Sequence, residues 1–138
     1  MKDALVVSLN WGIKDLDRSD VGMWDATDLG KLVWDDTFTV APARNQKALI
    51  DMCIYLRDSS PIVRNSQVTC WILDMEEYVN SSGTNCAGGK KMPLESEADF
   101  YNCLLAFATT EEGEGHFKSQ NVYYDMKNKR IKYMRVSA

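Results

Sequence analysis

Leu5, Val7, Leu9, Trp11 and Ile13 recur at every second position, the period of a strand with one buried face, and predict a strand over 4–13. The stretch 14–31 is rich in Asp and Gly and reads as an excursion from that strand. Leu32, Trp34, Phe38 and Val40 then alternate around Asp36 and predict a second extended segment. The period changes next. Leu49, Met52, Cys53 and Leu56 fall at i, i+3, i+4 and i+7, one face of a helix over 42–58. Pro42 suits its first turn, and Pro61 ends it because proline cannot continue the hydrogen-bond ladder.

A second helix is predicted over 69–79, with Thr69 as its N-cap and Trp71, Met75 and Tyr78 on one face. Residues 80–91 are loop by composition. A third helix over 96–108 opens on Ser96-x-x-Asp99, a capping box with Asp in place of Glu or Gln, and carries the stripe Phe100, Cys103, Leu104, Phe107. Glu111 to Gly115 reads as an acidic, Gly-containing break. Val122, Tyr124 and Met126, a turn at Asn128-Lys129, and Ile131, Tyr133 and Arg135 predict a hairpin over 120–137. The expected class is α+β, with the strands packed against three helices.

At 138 residues, 45% apolar and 26% charged, with 8 Gly and 3 Pro, the chain has the composition of one globular domain, not of a collagen-like or low-complexity protein. The longest apolar run, Ala4 to Leu9 with Ser8 inside it, is far below the roughly 20 residues that span a bilayer and too short for a signal peptide. The net charge of −4 is uneven: residues 1–40 hold eight Asp against four Lys or Arg. Residues 118–135 hold six bases (Lys118, Lys127, Lys129, Arg130, Lys132 and Arg135) against Asp125 alone. Without an Arg-rich cluster or flanking aromatic platform, that hairpin reads as a solvated strand pair with Lys guarding an edge, and no nucleic-acid partner is expected.

Cys53, Cys70, Cys86 and Cys103 lie 16 to 17 residues apart, with none of the close pairs that zinc sites use. An even count at such intervals suits two disulfides and an oxidising compartment. Asn80-Ser81-Ser82 is an N-glycosylation sequon in a polar loop and makes Asn80 a candidate glycan site. Joining each stripe cysteine to a neighbour in sequence gives Cys53–Cys70 and Cys86–Cys103, one of three connectivities that all stay open here.

Catalytic chemistry finds few residues. His116 is the only imidazole, in Gly113-Glu114-Gly115-His116-Phe117, with no G-x-S-x-G elsewhere. Gly88-Gly89-Lys90-Lys91 lacks the Walker spacing and a preceding strand. Glu76-Glu77 and Glu111-Glu112 are adjacent in sequence, so on a helix they diverge. Asp15, Asp17 and Ser19 open like a calcium loop, but Asp20 and Ala26 stand where that loop needs Gly and Glu. No enzyme, cofactor or metal site is expected.

Several segments together resemble one family. Val7-Ser8-Leu9-Asn10-Trp11-Gly12-Ile13 is similar to the strand ending in Trp-Gly or Phe-Gly that follows the seventh transmembrane helix of Dispatched-type proteins. These belong to the resistance–nodulation–division (RND) superfamily, with Patched and the Niemann–Pick-type sterol transporters. Trp24 to Leu32 and Trp34 to Phe38 resemble that family's stretch of Asn or Asp, Pro, Gly and an acid before Phe, with Ala26 where Pro is common. Asn45 to Cys53, Cys70 to Tyr78 and Phe100 to Leu104 resemble its later cysteine-bearing helices.

The resemblance implies a fragment, 1–138, of the second extracellular domain of a polytopic transporter. Its fold would be an incomplete ferredoxin-like porter subdomain on a β-α-β-β-α-β plan, with an Asp-rich insertion at 14–31 and a helical, disulfide-bearing insertion at 60–118. It further implies an extracellular or luminal location, and a part in handling sterol, lipid or lipid-modified protein. The partner is then the remainder of the same membrane protein. The coupling residues of such transporters lie in transmembrane helices, so none is carried over. The alternatives are a free-standing secreted or cell-surface binding module with Trp24 or Tyr123 as contacts, and an intracellular protein with reduced thiols.

Overall fold

A computed structural model of the chain describes residues 7–60, 68–81 and 85–138. Its elements run β1 (Ser8–Trp11), β2 (Ile13–Asp17), β3 (Lys31–Trp34), α1 (Ala43–Asp58), α2 (Trp71–Asn80), α3 (Glu97–Ala108), α4 (Glu111–Lys118), β4 (Val122–Asp125) and β5 (Arg130–Ser137). The fold is mixed α+β with two small antiparallel sheets. One has the order β1-β5-β4; the other is the ribbon β2-β3. Since β5 is antiparallel to both neighbours, β1 and β4 run parallel to each other on its two sides.

The predicted strand 4–13 is two strands in two different sheets, and its residues 4–6 lie outside those described. The break is at Gly12, whose φ is +95°. A Cβ there would stand 2.1 Å from the Lys132 carbonyl oxygen, so only glycine lets the chain pass β5 and turn away. The Gly12 carbonyl accepts from the Asp35 N–H at 2.8 Å, which closes the base of the ribbon. The Asp-rich excursion is therefore partly strand. Alternation could not show this, because β2 is exposed on both faces.

The aspartates of this region serve as turn formers. Asp17 accepts from the Ser19 N–H, Asp25 from the Thr27 N–H and hydroxyl, Asp28 from the Gly30 N–H, and Asp35 from the Thr37 N–H and hydroxyl. Such Asx turns satisfy backbone donors that no sheet would reach. Hydrogen bonding from the side chains of Ser19, Thr27 and Thr37, and then from their N–H groups, holds the Asp17, Asp25 and Asp35 carboxyls below their ordinary value.

Helix α1 follows its prediction closely, ending at Asp58; Pro61 lies outside the described residues. Its buried line is Gln46, Ile50 and Cys53, with Leu49, Met52 and Leu56 half-buried beside it. Helix α2 starts two residues later than expected. Thr69 does not cap it, because its N–H and C=O exchange bonds with Ser137 at 2.7 and 3.1 Å, extending the ladder of β5. Helix α3 opens as read, with the Ser96 side chain accepting from the Asp99 N–H at 3.3 Å.

The predicted break at 111–115 is instead helix α4. Thr110 caps it by accepting from the Gly113 N–H at 3.0 Å, and three glutamates in its first turn complement the helix dipole. Gly113 is packed against α3: a Cβ there would lie 1.9 Å from the Phe107 carbonyl oxygen. Gly113 thus marks close approach, not chain reversal, whereas Gly115 faces open space.

One core joins the layers. Trp71, Ile72, Met75 and Val79 of α2 meet Phe100, Leu104 and Phe107 of α3 and the inner sheet face of Val122, Ile131, Met134 and Val136. Cys53–Cys70 ties α1 to the start of α2, and Cys86–Cys103 ties the following loop to α3. Buried Gln46 locks that loop from the other side. Its Nε2 donates to the carbonyls of Ala41 and Leu94, and its Oε1 accepts from the Leu94 N–H.

Candidate ligand groove

The turn at Gly12 swings the ribbon back over the outer face of the three-stranded sheet, leaving a groove of about 360 Å³ between them. The ribbon supplies Ile13, Leu32 and Trp34; the sheet side supplies Gln120, Tyr123, Lys132 and Tyr133. That volume lies at the small end of the range for ligand pockets. The lining is apolar and aromatic yet open: Ile13 is 37%, Leu32 47% and Tyr123 52% exposed.

Two polar contacts shape the groove. Tyr133 donates its hydroxyl to Asn10 Oδ1 at 2.6 Å, fixing that ring across β1. Lys132 places Nζ 4.5 Å from the centroid of the Trp34 ring, a cation–π contact that joins sheet to ribbon. Lys132 also lines a second depression, of about 270 Å³, with Asp36, Asp125, Asn128 and Arg130. There Arg130 pairs with Asp36 at 3.5 Å and donates to the Asp36 carbonyl at 2.9 Å. Asp125 accepts from the N–H groups of Lys127 and Asn128 and from the Asn128 amide. The Asn128 bonds are the main reason its carboxyl titrates below the ordinary value.

A separate polar network lies inside the protein. His116 is buried, with Nε2 at 2.6 Å from Asp74 Oδ2 and Nδ1 at 2.9 Å from Asn121 Nδ2. Arg135 donates to Asn121 Oδ1 at 3.0 Å and to the Ser119 carbonyl at 2.8 Å. The guanidinium thus orients the Asn121 amide nitrogen towards His116, which makes Nδ1 the acceptor and assigns the ring proton to Nε2. Both nitrogens are engaged in joining α2, α4, the turn before β4, and β5. Glu112 stands nearby, its carboxyl pushed up by burial and then by the Asp74 charge.

The four predicted cysteines come together as Cys53–Cys70 and Cys86–Cys103, which selects one of the three connectivities. Two disulfides fit an oxidising, extracellular or luminal environment. Asn80 ends α2, half-buried, and its side-chain Oδ1 accepts from the Met92 N–H at 2.9 Å. Ser82 of its sequon lies outside the described residues. Of the aromatic contacts expected for a binding module, Tyr123 lines the groove, whereas Trp24 is 92% exposed in the loop between β2 and β3.

Sequence reasoning missed Trp34 and Lys132 as site residues. Trp34 was legible as one more apolar position in a strand, and Lys132 as one more solvated base. No signal along the chain pairs them. Among the described residues no helix is long and apolar enough to cross a membrane, and no cluster of His, Cys, Asp or Glu could hold a metal ion. No protein family, curated protein or solved structure matches the chain.

Proposed function

We propose that this chain is a non-catalytic binding domain from the extracellular or luminal side of an RND-type, Dispatched-like transporter, and that its groove contacts lipid, sterol or a lipid-modified cargo. The observation that carries the reading is the strand arrangement. Two parallel strands, β1 and β4, separated by antiparallel β5 and joined through helices, have the order and directions expected of the split β-α-β half of a ferredoxin-like plan, and this supports the reading. The opposite edge of β1 pairs with no strand among the described residues, and it is the edge at which that plan would add its last strand. The two disulfides and the apolar groove support the location and the role.

Binding of a fluorescent sterol and a fluorescent fatty acid to the disulfide-closed chain tests the proposal. Saturable association with either, weakened at least fivefold by Trp34→Ala, is the expected result. Absence of saturable binding to both rejects the lipid-handling role.

A further inference from the structure

We infer that the groove takes a single-chain amphiphile with an anionic head, a carboxylate or a phosphate, whose tail lies on Ile13, Leu32, Trp34 and Tyr123 and whose head pairs with Lys132. This deepens the reading of the groove as a lipid-contacting site and rests on it. The argument starts from what each charged neighbour is doing. Arg130 is paired with Asp36, and Asp125 is bonded by Asn128 and two backbone donors. Lys132, between them, makes no direct ion pair among the described residues: its charge helps hold the Asp125 carboxyl down from a distance, and its ammonium sits over Trp34.

That position matters for ligand choice. A ring face removes water from one side of the ammonium, and a ligand filling the groove removes more. A neutral apolar ligand leaves a partly desolvated cation with no directly paired counter-charge, only the longer-range attraction of Asp125, which is unfavourable. A cationic ligand meets repulsion. An anionic head supplies a charge-assisted hydrogen bond at the point where the apolar lining ends, because Lys132 lines both the groove and the adjoining polar depression. The groove's modest volume suits one alkyl chain better than a bulky two-chain lipid.

Calorimetric titration of the disulfide-closed chain with dodecanoate, below its micelle concentration, tests the inference. Expected are one-to-one binding, a roughly tenfold weaker constant with 1-dodecanol, a similar loss in Lys132→Gln, and recovery in Lys132→Arg. Acetate alone is expected not to bind. The urea midpoint of each variant is measured alongside, so that a fold defect is seen as such. If dodecanoate and dodecanol bind equally, or if Lys132→Gln binds dodecanoate as wild type does, the anionic-head assignment is overturned while an apolar groove remains. If neither amphiphile binds, the reading of the groove as a lipid site falls with it.

Discussion

Replacing Gln46 by leucine removes a buried side chain that clamps the loop before α3 at Leu94. Gln46 is fully buried in the first turn of α1. Its amide donates to the Ala41 carbonyl at 2.6 Å and to the Leu94 carbonyl at 2.9 Å, and accepts from the Leu94 N–H at 2.8 Å. Leucine is of similar size, so the cavity term is small and the hydrogen bonds carry the effect. Three backbone groups lose their partner in surroundings where Ala41 is 2% and Leu94 1% exposed. A buried group left unpaired costs about 1–3 kcal/mol, and local relaxation recovers part of the total. The expected loss is about 3 kcal/mol, read as a lower urea midpoint with an unchanged slope. Gln46→Glu separates shape from chemistry. An ionised carboxylate keeps the bond from the Leu94 N–H but opposes both carbonyls, whereas the protonated form regains one donor. Burial raises the folded-state pKa of such a group above its unfolded value, so the variant gains on wild type as pH falls. A Leu variant within about 0.5 kcal/mol of wild type would refute the clamp, since one net hydrogen bond is already worth about that much.

Converting both Cys53 and Cys70 to serine opens a loop with a sequence separation of 17, for which chain entropy gives a loss of about 3 kcal/mol in chemical denaturation. Peptide mapping without reductant is expected to recover Cys53 with Cys70 and Cys86 with Cys103; any crossed pair contradicts the structure. Glu112→Gln is expected to raise stability at neutral pH, because burial and the Asp74 charge hold the Glu112 carboxyl above its ordinary value. A raised folded-state pKa means that the folded protein binds the proton more readily, so its contribution weakens as pH rises through that value. The advantage of the variant should therefore vanish below the carboxylate range, and thermal melts at pH 4 and pH 7 check it.

Helices α1 and α3 were legible because their information is local. An apolar stripe of period 3.6 and the Ser96 cap act within a few residues of one another. Where a distant partner decides, local reading failed. Thr69 resembles an N-cap until Ser137 takes its backbone into the sheet. Gly113 and Gly115 resemble a break until α3 is seen packed against the first of them. The 4–13 alternation is real, but whether it makes one strand or two rests on the Lys132 carbonyl, 120 positions beyond Gly12.

The sequence by itself determined the α+β class, the helical stripes, the terminal hairpin and the four cysteines that an oxidising compartment would pair. Each follows from spacing over a short stretch, where backbone geometry and periodicity are enough. Only the tertiary structure decided which cysteines pair, that Gly12 divides the first strand between two sheets, and that the ribbon's Trp34 comes to face Lys132 across a groove. Those features join residues far apart in the chain. Their energetics come from close approach and burial, which no local period records.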